Sequence, residues 1–236
     1  MTQSSDAELR TFANIRDLGG YSVSGGGVTA PNVLIRSDAP YPGDDDPVDI
    51  PWPPATVVDL REATEPGSLA VTWPPGVRVV HRGVSAGARV DRLARTGLVE
   101  IYMSMMRAGG HCLTAALNEF DCGGATLVHC TAGKDRTGVI VALALLLAGV
   151  DEESVIRDYQ RTEDGIAGVY SRSLERGRVP EGTTLDAPFL RSPREAIEVV
   201  IDDVLGAAAG AWGWFEAHGG DVEHFSQWVD HFVPAK

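Results

Sequence analysis

The stretch His129-Cys-Thr-Ala-Gly-Lys-Asp-Arg-Thr-Gly138 decides how this 236-residue chain is read. Just before it, Ala125-Thr-Leu-Val-His129 is a short apolar run of the kind that forms a buried parallel strand. Just after it, Thr137 to Leu147 is apolar all round, which predicts a helix in the middle of the molecule. A strand that turns into a helix through a tight loop makes an anion trap. The loop amides and the free N–H groups of the first helical turn point at one spot, and the helix dipole adds positive potential there. Gly133 permits the turn, and Arg136 offers a planar fork suited to two phosphate oxygens. Cys130 opens the loop, which sets its sulfur beneath the trapped anion. A free thiol has a pKa of about 8.5, and a helix N-terminus with nearby cations depresses it by several units. Thr137 can direct its hydroxyl at that thiolate or at the helix start. The pattern predicts a sulfur nucleophile in line with the leaving oxygen of a bound phosphate ester.

Outward from this loop, strands alternate with helices. Ala55-Thr-Val-Val-Asp-Leu60 and Val77-Arg-Val-Val-His81 read as two further buried parallel strands. Tyr21-Ser-Val23 and Asn32-Val-Leu-Ile-Arg36 read as a hairpin around Gly25-Gly-Gly27. Residues 39–54 form a proline-rich loop whose acidic run is expected to be solvated. Helical spacing runs from Asp91 to Arg107 and is expected to stop at Gly109-Gly110, with a second short helix over 111–120. Asp151 caps a helix running to about Thr162, with Glu152 and Glu153 in its first turn. Ser192-Pro-Arg-Glu195 marks another start, Ser at the N-cap and Pro at the first helical position, for a helix running through Leu205. From Trp212 onward, one or two short helices are expected, broken at Gly219-Gly220. The sum is an α/β architecture: a central, mostly parallel sheet with helices on both faces. The length suits one domain, 1–236.

Composition excludes several function classes. The net charge is −13, which repels nucleic acid and anionic membrane at long range, so an anionic substrate needs a local electropositive site. The longest apolar run, Gly138 to Val150, spans 13 residues, against the ~20 of a spanning helix. The start of the chain has neither a basic region nor an apolar segment of a secretory signal, so the cytoplasm is the default compartment. Three cysteines do not make a disulfide framework; Cys112 and Cys122 read as small buried hydrophobes. The six histidines show no metal-ligand spacing, and the chemistry calls for no metal or cofactor.

The loop resembles the HCxxGxxRTG signature of cysteine-dependent phosphatases, and more narrowly the HCxAGKDRTG loop of the bacterial PtpB/LipA-type tyrosine phosphatases. Asn14-Ile-Arg-Asp-Leu-Gly-Gly-Tyr21, Arg36-Ser37, Val58-Asp-Leu-Arg-Glu62 and Asp158-Tyr159 are similar to other segments of that family, and together they extend the likeness over residues 10–232. The resemblance implies the cysteine-phosphatase fold and hydrolysis of phosphate monoesters through a phosphocysteine. Phosphotyrosine proteins are the implied substrate, with phosphoserine, phosphothreonine and phosphoinositides as extensions. It also implies a helical lid from the Gly- and Arg-rich segment 164–191, and it includes proteins exported without a signal peptide.

Roles follow residue by residue. Cys130 is the nucleophile and Arg136 the phosphate clamp, with Thr131, Ala132, Gly133, Lys134, Thr137 and Gly138 around the substrate. Asp135 is the candidate general acid by resemblance; Asp59, at a strand's carboxyl end, is the runner-up, with a structural pairing to Arg61 as its other reading. Lys134, one of only two lysines, projects a flexible charge towards the substrate and a second phosphate. His129 hydrogen-bonds backbone beside Cys130, and the pair Arg16-Asp17 braces the loop from behind. Two other classes compete: a phosphate-binding module of the same fold without turnover, and a sulfur- or arsenate-handling enzyme that shares a cysteine loop, the arsenate reductase needing a cysteine relay with Cys122 near Cys130.

Overall fold

A computed structural model describes residues 9–65, 71–84, 97–179 and 181–235. The strands β1 (Arg16–Asp17), β2 (Leu34–Ser37), β3 (Thr56–Asp59), β4 (Arg78–His81) and β5 (Thr126–His129) form one sheet in the order β1-β2-β5-β3-β4. All neighbours are parallel except β1, which runs antiparallel on β2. The expected mostly parallel sheet is therefore present. The hairpin partner differs from expectation: β2 pairs with Arg16–Asp17, while Tyr21-Ser-Val23 contributes only isolated bridges to Val28 and Val150.

Alternation along the strands separates two faces. Leu34, Val58 and Val128 face the main core. Helix α1 spans Leu98–Leu117, α2 Asp135–Leu147, α3 Glu152–Gln160, α4 Thr162–Glu175, α5 Arg194–Leu205, α6 Gly210–Ala217 and α7 Val222–Phe232. Helix α2 lies against β2 and β5 and is wrapped by α1, α3, α5 and α6, so every residue from Arg136 to Leu147 is buried. That is the physical content of a helix that is apolar all round. Ile35, Val57 and Leu127 face the other way, into a smaller cluster closed by Ile50 and by the half-buried Ile15, Trp52, Trp73 and Val77. Among the described residues this second face is covered by loop side chains rather than by a helix, which narrows the expectation of helices on both faces. Loops suffice because only a few short strands need cover there.

Three local expectations change. Helix α1 does not stop at Gly109-Gly110 but runs through to Leu117 as one element; the predicted start at Asp91 lies outside the described residues. Gly110 serves a close approach, since a Cβ there would come within 2.9 Å of His218 Cγ. Helix α5 starts at Arg194 with Pro193 at its cap, and no side-chain oxygen caps it; Ser192 instead donates its backbone N–H to Glu163 Oε1 at 2.8 Å. In the 39–54 loop, Asp44 is not merely solvated: it pairs with the buried Arg172 at 2.7 Å. The cap at Asp151 is as expected, accepting from Ser154 N at 2.9 Å.

The segment 164–191 divides in two. Its first half is helix α4, set tightly on the N-terminal strap: a Cβ on Gly165 would fall on the carbonyl oxygen of Ala13. Arg172 of α4 is buried, 3.0 Å from Asp38 Oδ2 and close over the rings of Phe12 and Tyr41. Glycines that read as breaks in periodicity are here the contact surface of a helix. Among the described residues, no helix is long and apolar enough to cross a membrane.

Candidate active site

The loop 130–134 leaves the carboxyl end of central strand β5 and enters α2 at Asp135. Cys130 is 3% exposed at its base. Gly133 takes φ +67, and a Cβ there would come 2.5 Å from the Ser37 carbonyl carbon and 2.7 Å from Asp38 N. Only glycine fits, because both the dihedral and the neighbouring strand backbone exclude a side chain.

Arg136 is fixed at its outer end. Nη1 and Nη2 both donate to the Glu65 carboxylate, Nη2 at 3.0 Å, and Nη1 also donates to Leu60 O at 3.2 Å. Glu65 accepts from Thr131 Oγ1 at 3.3 Å as well. Among the described residues nothing accepts from Arg136 Nε, so the Nε–Nη2 edge of the fork is left for two oxygens of an anion. Burial works against the Arg136 charge, but the bonds to Glu65 and the nearness of Cys130 outweigh it and hold the group above its ordinary value. Burial likewise raises Glu65, and its bonds to Arg136 pull it below the usual carboxylate range.

Asp135 sits at the first residue of α2. Its Oδ1 accepts from Lys134 Nζ at 2.5 Å and from Tyr102 Oη at 2.8 Å. Lys134 is therefore not a flexible charge: its side chain is 2% exposed and held on Asp135. Asp59 lies elsewhere, on the sheet face of His129 and His81. Both its oxygens accept from Arg61, at 2.9 Å and 2.6 Å. Burial raises Asp59, but His129 and Arg61 outweigh this and keep it a carboxylate. Its geometry is that of the structural pairing, with both oxygens engaged by Arg61. His129 Nδ1 is 3.2 Å from Cys130 O, and burial pushes its pKa down to about 4, so the ring is neutral at neutral pH. Thr137 Oγ1 is buried with no hydrogen-bond partner among the described residues, which departs from the expected bond to sulfur or helix start. Gly138 lies under Tyr159, with room for no more than a tight Cβ at 3.0 Å.

Behind the loop is a buried polar lattice. Arg16 donates to Asp158 Oδ1 at 2.8 Å and to Asn14 Oδ1 at 2.7 Å; Asn14 in turn donates to Ala132 O and Gly133 O at 3.0 and 3.1 Å. Arg16 thus reaches the loop carbonyls through Asn14. Asp17 does not: strand alternation turns it away, and it accepts from Gly19 N and Asn32 N instead. Arg36, fully buried, bridges Asp158 Oδ2 at 2.5 Å and Gly133 O at 2.7 Å. Residue-by-residue reading missed Asn14, Arg36, Asp158, Glu65 and Tyr102 as members of this site. The quoted segments around Asn14, Arg36 and Asp158 carried the signal as family likeness; Glu65 carried none beyond its charge, and Tyr102 was indistinguishable from its apolar helical neighbours.

Cys122 precedes β5 whereas Cys130 follows it, and Cys122 is only half-buried, with Sγ 3.7 Å from His224 Nδ1. The two sulfurs are at opposite ends of a strand, too far apart for a relay. Among the described residues, no group of three His, Cys, Asp or Glu side chains could hold a metal ion.

A profile of the tyrosine phosphatase family matches residues 7–233. The triple specificity protein phosphatase PtpB of Mycobacterium tuberculosis is 43% identical over 53 residues, 22% of this chain and 19% of that protein. A tyrosine-protein phosphatase of Nostoc commune is 47% identical over 53 residues, 22% of this chain and 18% of that protein. The alignments thus span about a fifth of the length of these curated relatives. With the family profile covering nearly its whole length and the loop built as described, the chain belongs to the tyrosine phosphatase family.

Proposed function

We propose that the chain is a cysteine-dependent phosphatase that hydrolyses phosphate monoesters through a phosphocysteine. Phosphotyrosine proteins are the first substrate class; the mycobacterial relative's name, a triple specificity protein phosphatase, supports a range wider than one phosphoamino acid, and phosphoinositides are a further extension that rests on the resemblance of the loop. The observation that supports this best is the half-engaged Arg136 above Cys130. Its outer edge is saturated by Glu65 and Leu60, and its inner edge is left to an anion.

In the first step the Cys130 thiolate attacks phosphorus and the bond to the leaving oxygen breaks. Arg136 and the free N–H groups at the start of α2 balance charge on the three equatorial oxygens. Asp135 gives its proton to the departing oxygen. In the second step water attacks the phosphocysteine, passes its proton to the Asp135 carboxylate, and the P–S bond breaks to return the thiolate. The supporting contrast is that Asp135 Oδ2 has no partner among the described residues, whereas both oxygens of Asp59 are taken. Residues 1–236 are read as one domain, with any covering role confined to 177–191, beyond the packed helix α4.

The test is turnover of an aryl phosphate with EDTA present. Cys130→Ser should abolish turnover and retain inorganic phosphate binding by calorimetry, since the clamp is intact. Turnover by that variant within about tenfold of wild type would overturn the covalent route. Phosphate binding by wild type without turnover of any monoester would favour the binding-module reading.

A further inference from the structure

We propose that Tyr102 is a positioning residue for Asp135 and that Tyr159 acts through Tyr102. The inference deepens the proposed mechanism and rests on Asp135 as the proton carrier.

Three helices converge on one carboxylate. Tyr102 comes from the buried stripe of α1, between Ile101 and Met105, and its Oη donates to Asp135 Oδ1 at 2.8 Å. Tyr159 comes from α3, where it packs on Gly138 of α2, and its Oη lies 2.9 Å from Tyr102 Oη. Tyr102 has one proton, given to the carboxylate, so Tyr159 is the donor to Tyr102. The two rings stand edge to face, with centroids 6.0 Å apart at 76°. Burial first, and the Asp135 charge second, hold both phenols above their ordinary value, so both remain donors throughout the working range. Lys134 Nζ reaches the same Oδ1.

The asymmetry is the point. The carboxyl torsion of an aspartate is broad and nearly two-fold, so an unheld Asp135 would present either oxygen in many orientations. Two donors on Oδ1 fix the carboxyl plane and leave Oδ2 as the oxygen that carries the proton to the leaving group. A chain of hydroxyls in a buried setting also polarises the final bond to the carboxylate. Neither tyrosine needs to touch substrate for this role; each acts through Asp135.

A positioned acid matters in proportion to the basicity of the leaving group, and packing does not. The experiment therefore measures kcat/KM for wild type, Tyr102→Phe, Tyr159→Phe, Asp135→Asn and the double variant Asp135→Asn/Tyr102→Phe. The substrates run from phenyl phosphate to 2,4-dinitrophenyl phosphate. Tyr102→Phe should lose roughly ten- to a hundredfold on phenyl phosphate, part of the ~10²–10⁴-fold a general acid supplies, and little on the dinitrophenyl ester. Tyr159→Phe should show the same slope with a smaller loss, and the double variant should be no slower than Asp135→Asn alone. Equal losses by Tyr102→Phe on all esters, or a further loss in the double variant, would make Tyr102 a packing residue and overturn the proposal while leaving Asp135 the acid. If Asp135→Asn itself showed no leaving-group dependence, the acid assignment would fall, and this proposal with it. Should Tyr102→Phe fail to fold, Tyr159→Phe, which removes only the outer hydroxyl, carries the same slope test: no slope would refute it.

Discussion

Replacing Asp158 with Asn perturbs the lattice that holds the catalytic loop at its most concentrated point. Asp158 is fully buried, and its two oxygens are divided between Arg16 at 2.8 Å and Arg36 at 2.5 Å. Asn is nearly isosteric but can offer only one oxygen, so one arginine would face an amide donor. Arg36 is the more exposed to harm, because its side chain has no access to water and its remaining acceptors are Gly133 O and a distant Thr162 hydroxyl. Removing one partner of a buried ion pair costs about 3–5 kcal/mol. Against a total stability of about 5–15 kcal/mol for a protein, that is a large share. At about 2–4 °C per kcal/mol for a domain of this size, the melting temperature should fall by roughly 6–20 °C. The sign with pH follows from the native carboxyl. Burial raises it, but Arg36 and Arg16 outweigh burial and hold it below the ordinary value. The pair therefore contributes fully above the unfolded Asp value of about 3.9 and is lost as pH falls through the lower native value. Urea unfolding of both proteins over a pH series should give a constant gap from neutral pH down to mildly acid, narrowing only below about pH 4. A gap under about 1 kcal/mol at pH 7, or one that narrowed already between pH 7 and 5, would refute the reasoning.

Other perturbations probe the loop and its supports. Gly133→Ala places a Cβ against the Ser37 backbone at a positive φ; the dihedral alone costs about 1–3 kcal/mol, and both denaturant midpoint and turnover should fall, whereas a wild-type midpoint would show that the loop can shift. Glu65→Gln keeps the shape but removes the charge that fixes Arg136. A hydrogen bond to a charged group is worth about 1.5–3 kcal/mol, so kcat/KM should drop at least about tenfold in a folded protein, and an unchanged value would take Glu65 out of the site. Replacing residues 178–189 with a short Gly-Ser bridge should leave α4 folded by circular dichroism and speed peroxide inactivation of Cys130; an unchanged inactivation rate would make that segment a passive loop.

The catalytic loop was legible in the sequence because its chemistry is contiguous. Ten consecutive residues carry the proposed nucleophile, clamp and acid together with the turn glycine, and the strand before and helix after them are each set by local apolar patterning. For the same reason β3, the strand β4 and the N-cap of α3 were readable, since short apolar runs and Asp151 act on their immediate neighbours; the expected burial of β4 was not, because it depends on the sheet order that leaves β4 a half-exposed edge. What lay out of reach was which distant residues meet. Asn14 to Gly133 spans 119 positions and Arg36 to Asp158 spans 122; no local propensity encodes such pairings, which form only once the sheet order and helix packing bring the segments together. Glycines show the limit most clearly. Gly109-Gly110 and Gly165 look like breaks because glycine disfavours an isolated helix, yet in α1 and α4 Gly110 and Gly165 let His218 and Ala13 approach closely. Lys134 reads in the sequence as a flexible charge for the substrate and Tyr102 lies among apolar helical positions, yet tertiary packing turns both towards one oxygen of Asp135. The sequence by itself carried the proposed nucleophile and anion trap and the α/β frame, through neighbours along the chain; the orientation of the proposed acid, the fixing of Arg136 by Glu65 and the brace behind the loop were decided by the tertiary structure, because they depend on buried contacts that burial alone makes strong.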